Sequence, residues 1–164
     1  MRIPIDMRRE LEPFLRGRSL DWDSIEVDLV AMSYVYMEIP VPHALVKRSV
    51  MLVTAEGSAR GLKPVGMTIA QHIFLDKDHA DFDTAAGLAL LVHELVHVDQ
   101  WKTDLNFDRH YQEMAAQTPD DTPWGNPYER EAYLAERQAY CGYVAMGVPK
   151  GRWTPLGIHL WGAC

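Results

Sequence analysis

The chain has 164 residues, 48% of them apolar, and a formal net charge of −7. That length suits one domain, residues 1–164, with a real core, and the acidic balance excludes a broad nucleic-acid footprint, which needs a basic face. No apolar run is long enough to cross a membrane, and the opening "MRIPIDMRRELEPFLRGR" lacks the apolar stretch of a secretory signal, so the expectation is a cytoplasmic protein, with signal-free export as the other route.

In chain order, residues 6–16 read as a short amphipathic helix broken near Pro13. "IEVDLVAMSYVYM" (25–37) is rich in β-branched and aromatic residues and reads as strand, and "RSVMLVTA" (48–55) as another. "GSARGLKPVG" (57–66) is a loop, "MTIAQHIFL" (67–75) a strand, and "DKDHADFDT" a polar connection. A central helix follows over about 84–102, capped by Asp83 or Thr84, with Lys102 suited to its C-terminal end. "NFDRHYQEMAAQ" makes a short helix and "TPDDTPWG" a loop. A second long helix spans 126–147: Asn126 is a good N-cap, Pro127 suits the first turn, and Gly147 and Pro149 end it. The apolar tail "WTPLGIHLWGAC" should pack on the body. The order predicts an α+β fold, with a small antiparallel or mixed sheet on the central helix and a second, C-terminal helix beside it. Cys141 and Cys164 are too few for a disulfide scaffold and are expected as free thiols.

The central helix carries the chemistry. From Ala85 to Val98 it is apolar except for His93, Glu94 and His97. His93-Glu94-Leu95-Val96-His97 is H-E-x-x-H, and on a helix positions i and i+4 share one face, so both imidazoles can point at one metal ion. Glu94 sits beside them, placed to hold a metal-bound water and accept its proton. Burying these three groups without partners is costly, and a cation satisfies them together.

A catalytic zinc site has three protein ligands plus water. Thr103 stands six residues past His97, which excludes the metzincin pattern. Asp99, Asp104 and Asp108 lie in a solvated helix end and loop. The better candidates are Glu129 and Glu131 in "NPYEREAYLAERQA". Glu129 has capping-box spacing from Asn126, and Glu131 can equally be a solvated charge. A small-residue stripe, Ala132, Ala135 and Ala139, lets this helix approach the first, and Glu129 lies one turn before it, which makes Glu129 the first choice. His43, His72, His79 and His159 read as packed or solvated histidines, and Gln100 and Trp101 as the packed end of the helix.

With those residues in place, "LLVHELVHVDQW" followed by "NPYEREAYLAE" resembles small bacterial gluzincin metallopeptidases with H-E-L-x-H-x-x-Q-W and N-P-x-E-x-E-A on a glutamate helix. The upstream "MTIAQHIFLD" resembles their edge strand. The resemblance covers about residues 67–140. It implies zinc held by His93, His97 and Glu129, with Glu94 as general base hydrolysing a peptide or protein substrate. Tyr133 stands where related families carry a supporting Asp or Asn. His110, Tyr111 and Tyr133 are candidate oxyanion donors. The other readings are a non-proteolytic zinc-binding module of a larger assembly, or a metallohydrolase acting on something other than a peptide.

Overall fold

The structure is a computed structural model and describes residues 1–30, 65–117 and 125–164. Helix α1 (Ile5–Leu11) runs into a 3-10 turn at Glu12–Phe14, and β1 (Glu26–Val30) follows. Strands β2 (Gly66–Ile69) and β3 (His72–Asp76) precede α2 (Ala85–Thr103) and α3 (Phe107–Gln117). Helices α4 (Pro127–Ala145) and α5 (Leu156–Trp161) complete the chain. The architecture is α+β: a three-stranded mixed sheet and several packed helices. The expected strand 48–55, the loop 57–64, His43, Trp124 and the second half of the 25–37 run lie outside the described residues.

The sheet order is β1-β3-β2, with β1 parallel and β2 antiparallel to β3. The expected single strand 67–75 is instead a hairpin, since Ile69 pairs with His72 across Ala70 and Gln71. Ala70 takes the turn with φ +53°. The reversal has neither the Gly nor the Asn that usually marks one, so composition hides it inside an apolar run. Val27, Ile73 and Leu75 are fully buried from the sheet side.

Against the sheet lies α2, buried from Ala85 to Gln100. Thr84 caps it, its side chain accepting from Gly87 N–H (3.2 Å). The N–H groups of Ala85 and Ala86, which have no partner within the helix, donate to the carbonyls of Pro149 and Lys150 (2.7 and 3.2 Å). Gly87 is required by close approach, because a Cβ there would lie 2.1 Å from the Asp81 carbonyl oxygen. On its other side α2 packs along α4 through Ala132, Ala135 and Ala139, all buried. Asn126 caps α4 by accepting from Tyr128 N–H (3.1 Å).

The tail packs on the body as expected, but the cysteines are not free. Gly157 N–H donates to Glu136 Oε2 (2.9 Å) and Arg137 Nε donates to the Gly162 carbonyl (3.2 Å), which folds α5 back along α4. Cys164 thereby reaches Cys141, with Cα atoms 5.3 Å apart, and the two form a disulfide. Residues 23 apart in sequence gave no sign of this pairing, which depends on the turn after α4. The bond closes a loop of moderate length, so Cys164→Ser should lower stability by about 2–3 kcal/mol. Denaturant unfolding of the variant checks this, and an unchanged midpoint would contradict it.

Candidate metal centre

The face shared by α2 and α4 brings His93, His97 and Glu129 together. His93 Nε2 and His97 Nε2 are 3.2 Å apart, and each lies 3.5 Å from an oxygen of Glu129. Glu129 does not fold back on Asn126 as a capping box would have it. Its Oε1 accepts instead from the Tyr111 hydroxyl (2.5 Å). Ligands bonded to one tetrahedral zinc at about 2.0–2.1 Å are separated by about 3.3–3.4 Å, so the observed triangle has the size that such an ion demands. The donor set, two imidazoles and a carboxylate, is also one that zinc accepts.

The other carboxylates considered from sequence are engaged elsewhere. Asp99 accepts from Arg18 Nη1 (3.2 Å) and Ser19 N–H (3.0 Å). Asp104 binds His110 Nδ1 (2.7 Å) and the Tyr128 hydroxyl (2.8 Å), and Asp108 accepts from Gln112 (3.0 Å). Glu131 points away from the histidines, toward Arg18 Nη2 (2.8 Å) and Gln100 Nε2 (2.7 Å). His79 pairs with buried Asp76 (2.6 Å), and half-exposed His72 faces Glu26 (3.8 Å). Trp101 packs on Phe107 (5.0 Å between ring centres).

Glu94 is buried and stands apart from the triangle. Its Oε2 accepts from Thr68 Oγ1 of β2 (2.6 Å), and a Cβ at Gly66 would lie 2.2 Å from its Oε1. The hairpin therefore holds this carboxylate. Of the proposed oxyanion donors, Tyr111 donates to Glu129, His110 is bound to Asp104, and Tyr133 sets its ring edge-on against His93 at 4.6 Å.

Glu136 escaped sequence reasoning. It lies seven residues after Glu129, two helical turns along the same face, and that spacing was the available signal. It is buried, and three acids, Glu94, Glu129 and Glu136, thus act on the His93 imidazole. Burial opposes a charged His93, but the hydrogen bond and charge of Glu129 outweigh it, with Glu136 and Glu94 adding to the effect, and the ring rises to about 9. Burial likewise raises Glu129, but His97, His93 and Tyr111 together draw it down to about 2. Burial holds the Tyr111 and Tyr133 hydroxyls well above their ordinary range, so both stay protonated. In the metal-free protein a proton on His93 stands where the cluster favours a cation.

The whole of α2 falls within residues 48–104, which match a family model described as the eCIS core domain. The match covers about a third of the chain and stops before α4. No curated protein and no solved structure matches the chain.

That match corrects the gluzincin resemblance. The stretch carrying H-E-x-x-H matches a domain model that is not that of a peptidase family, so the expected zinc metallopeptidase, its metalloendopeptidase-like hydrolase activity and its peptide substrate are withdrawn, and the non-peptide hydrolase with them. The physical reason is that H-E-x-x-H spacing reports only two imidazoles on one helix face. It serves a metal cross-link as well as a reaction. The intervening Glu94, expected as the general base, has a structural partner in Thr68.

Glu136 yields a pH test. Burial, its largest influence, pushes the carboxyl from 4.5 up to about 7; His93 and Gly157 N–H pull it down, while Glu94 and Glu129 push it further up. The folded chain thus binds more protons than the unfolded chain between these values, so this group's contribution is greatest in acid and is lost as pH rises through about 4.5–7. Glu136→Gln keeps an acceptor for Gly157 and removes the titration. In the metal-free protein it should flatten the stability slope across that window and add on the order of 2 kcal/mol at pH 8. Denaturant unfolding at stepped pH reads both, and an unaltered slope would contradict the assignment.

Proposed function

We propose that this chain is a non-proteolytic metal-binding module of a larger protein assembly, in which His93, His97 and Glu129 hold a zinc ion. The observation that carries this reading is the triangle of ligand atoms, 3.2–3.5 Å on each side, sunk in the contact between α2 and α4. The match to the eCIS core domain, a name that refers to contractile injection systems, favours assembly with other protein chains over hydrolysis. No helix among the described residues is long and apolar enough to cross a membrane.

When bound, the ion supplies a cross-link between two helices and cancels buried negative charge. The chain's own residues do the rest. Tyr111 steadies Glu129. Glu94 adds a negative charge near His93 and, through Thr68, joins the β2 hairpin to α2. Metal binding must displace the proton on His93, so uptake weakens as pH falls.

Purified protein should carry about one zinc per chain, and its removal by a chelator should lower Tm by roughly 5–15 °C. His97→Ala and Glu129→Ala should abolish metal retention. Elemental analysis and thermal unfolding measure these. Protein that folds natively without metal and ignores added zinc would overturn the metal site. Peptide turnover abolished by Glu94→Gln would overturn the non-proteolytic part.

A further inference from the structure

We propose that Gln100 is the positioning residue of this centre: it locks His97 in the Nδ1–H tautomer, leaving the Nε2 lone pair free for a metal, while Glu131 and Arg18 hold the Gln100 amide in the one orientation that achieves this. The inference rests on the metal-site reading above and concerns what prepares the site rather than what fills it.

The argument is one of donors and acceptors. Gln100 lies one turn past His97 on the same face of α2, and its Oε1 is 2.8 Å from His97 Nδ1. A side-chain amide is ambivalent, because rotation by half a turn exchanges its oxygen with its NH2. Here the choice is dictated from outside. The Gln100 nitrogen lies 3.1 Å from the Tyr128 carbonyl and 2.7 Å from Glu131 Oε2, and neither group has a hydrogen to give. The NH2 must face them, so the oxygen must face His97. Nδ1 therefore carries the hydrogen, and a neutral imidazole has only one. Nε2 is left bare, on the side of Glu129 and His93.

The strap has its own anchor. Arg18 Nη2 donates to Glu131 Oε1 (2.8 Å), and its Nη1 donates to Asp99 Oδ2 (3.2 Å). Both Glu131 oxygens thus face donors, Oε1 the Arg18 guanidinium and Oε2 the Gln100 amide. His93 has no such strap, since its Nδ1 is buried without a hydrogen-bond partner among the described residues. One imidazole of the pair is locked and the other is not. Glu131, weighed as a ligand on sequence, thus contributes at one remove. Outer partners of this kind set ligand orientation and commonly tune metal affinity 10- to 100-fold.

Two full-length variants test this. Gln100→Met keeps the length of the side chain and removes the acceptor. Glu131→Lys leaves Gln100 in place but offers a donor, which favours the flipped amide. Zinc affinity, read by competition with a chromogenic chelator, should fall about 10- to 100-fold in Gln100→Met and by a similar order in Glu131→Lys. Nitrogen NMR of the His97 ring in chelator-treated protein above neutral pH should show Nδ1–H in the parent and a growing Nε2–H population in both variants. Ring nitrogens unchanged in both variants, with or without a loss of affinity, would overturn the lock, because packing damage alone does not exchange tautomers. If the parent takes up no zinc, the metal reading fails, yet the ring nitrogens still decide whether Gln100 sets the tautomer.

Discussion

Two long helices meet on faces that exclude water, and at their contact lie three carboxylates and two imidazoles. Apolar burial alone cannot hold such a junction. Ala132, Ala135 and Ala139 let α4 approach α2 closely, and that closeness brings Glu129 within 3.5 Å of both ring nitrogens. The same closeness removes the solvent that would otherwise screen the charges. The cluster at this point is one that could hold a metal ion. Without metal, His93 takes a proton because the carboxylates around it require a positive charge there.

Much of the remaining structure keeps that junction in register. The β2 hairpin reaches over α2 with Thr68 on Glu94, and Gly66 leaves room for the carboxylate that any side chain would displace. Tyr111 reaches across from α3 to Glu129. Glu136 draws in Gly157 from α5, and the Cys141–Cys164 disulfide fastens the tail that supplies it. Arg18, from the loop after α1, steadies Glu131 and through it Gln100. Buried polar groups thus find partners, several of them drawn from a different segment, as the cost of leaving one unpaired demands. The two exceptions among the described residues are His93 Nδ1 and Trp101 Nε1.

What sequence could reveal divides by range. The two imidazoles were legible because i, i+4 spacing is a property of any helix, and the alanine stripe carried enough information to favour Glu129. Both long helices were legible from their caps, Thr84 among the candidates for one and Asn126 for the other. The hairpin at Ala70 was hidden because its turn uses no turn residue. The role of Glu131 was hidden because it depends on Arg18, 113 positions away, and the disulfide because it depends on α5 folding back. The peptidase expectation failed differently. His93, His97 and Glu129 lie together, but ligand type and spacing describe what can hold a metal, and hydrolysis needs more than that.

The matched stretch ends at residue 104, and Glu129, the third member of the cluster with His93 and His97, lies beyond it. Within that stretch the side chains of His93, His97 and Glu94 have Thr68, Gln100 and each other as partners, one carboxylate short of the three-ligand set of a usual zinc site. On α4, Glu129 stands beside both histidines, Glu131 accepts from Gln100, and Glu136 accepts from Gly157 of the tail. These three lie within eight residues on α4, yet each faces a different neighbour. Glu129 faces the histidines, Glu131 faces Arg18, and Glu136 faces Gly157. A helix turns about 100° per residue, so residues two apart point to nearly opposite sides and residues seven apart return to nearly the same one. That geometry lets one short segment reach the histidines, the Gln100 amide and the α5 tail, which makes α4 as much a part of the candidate site as the motif helix itself.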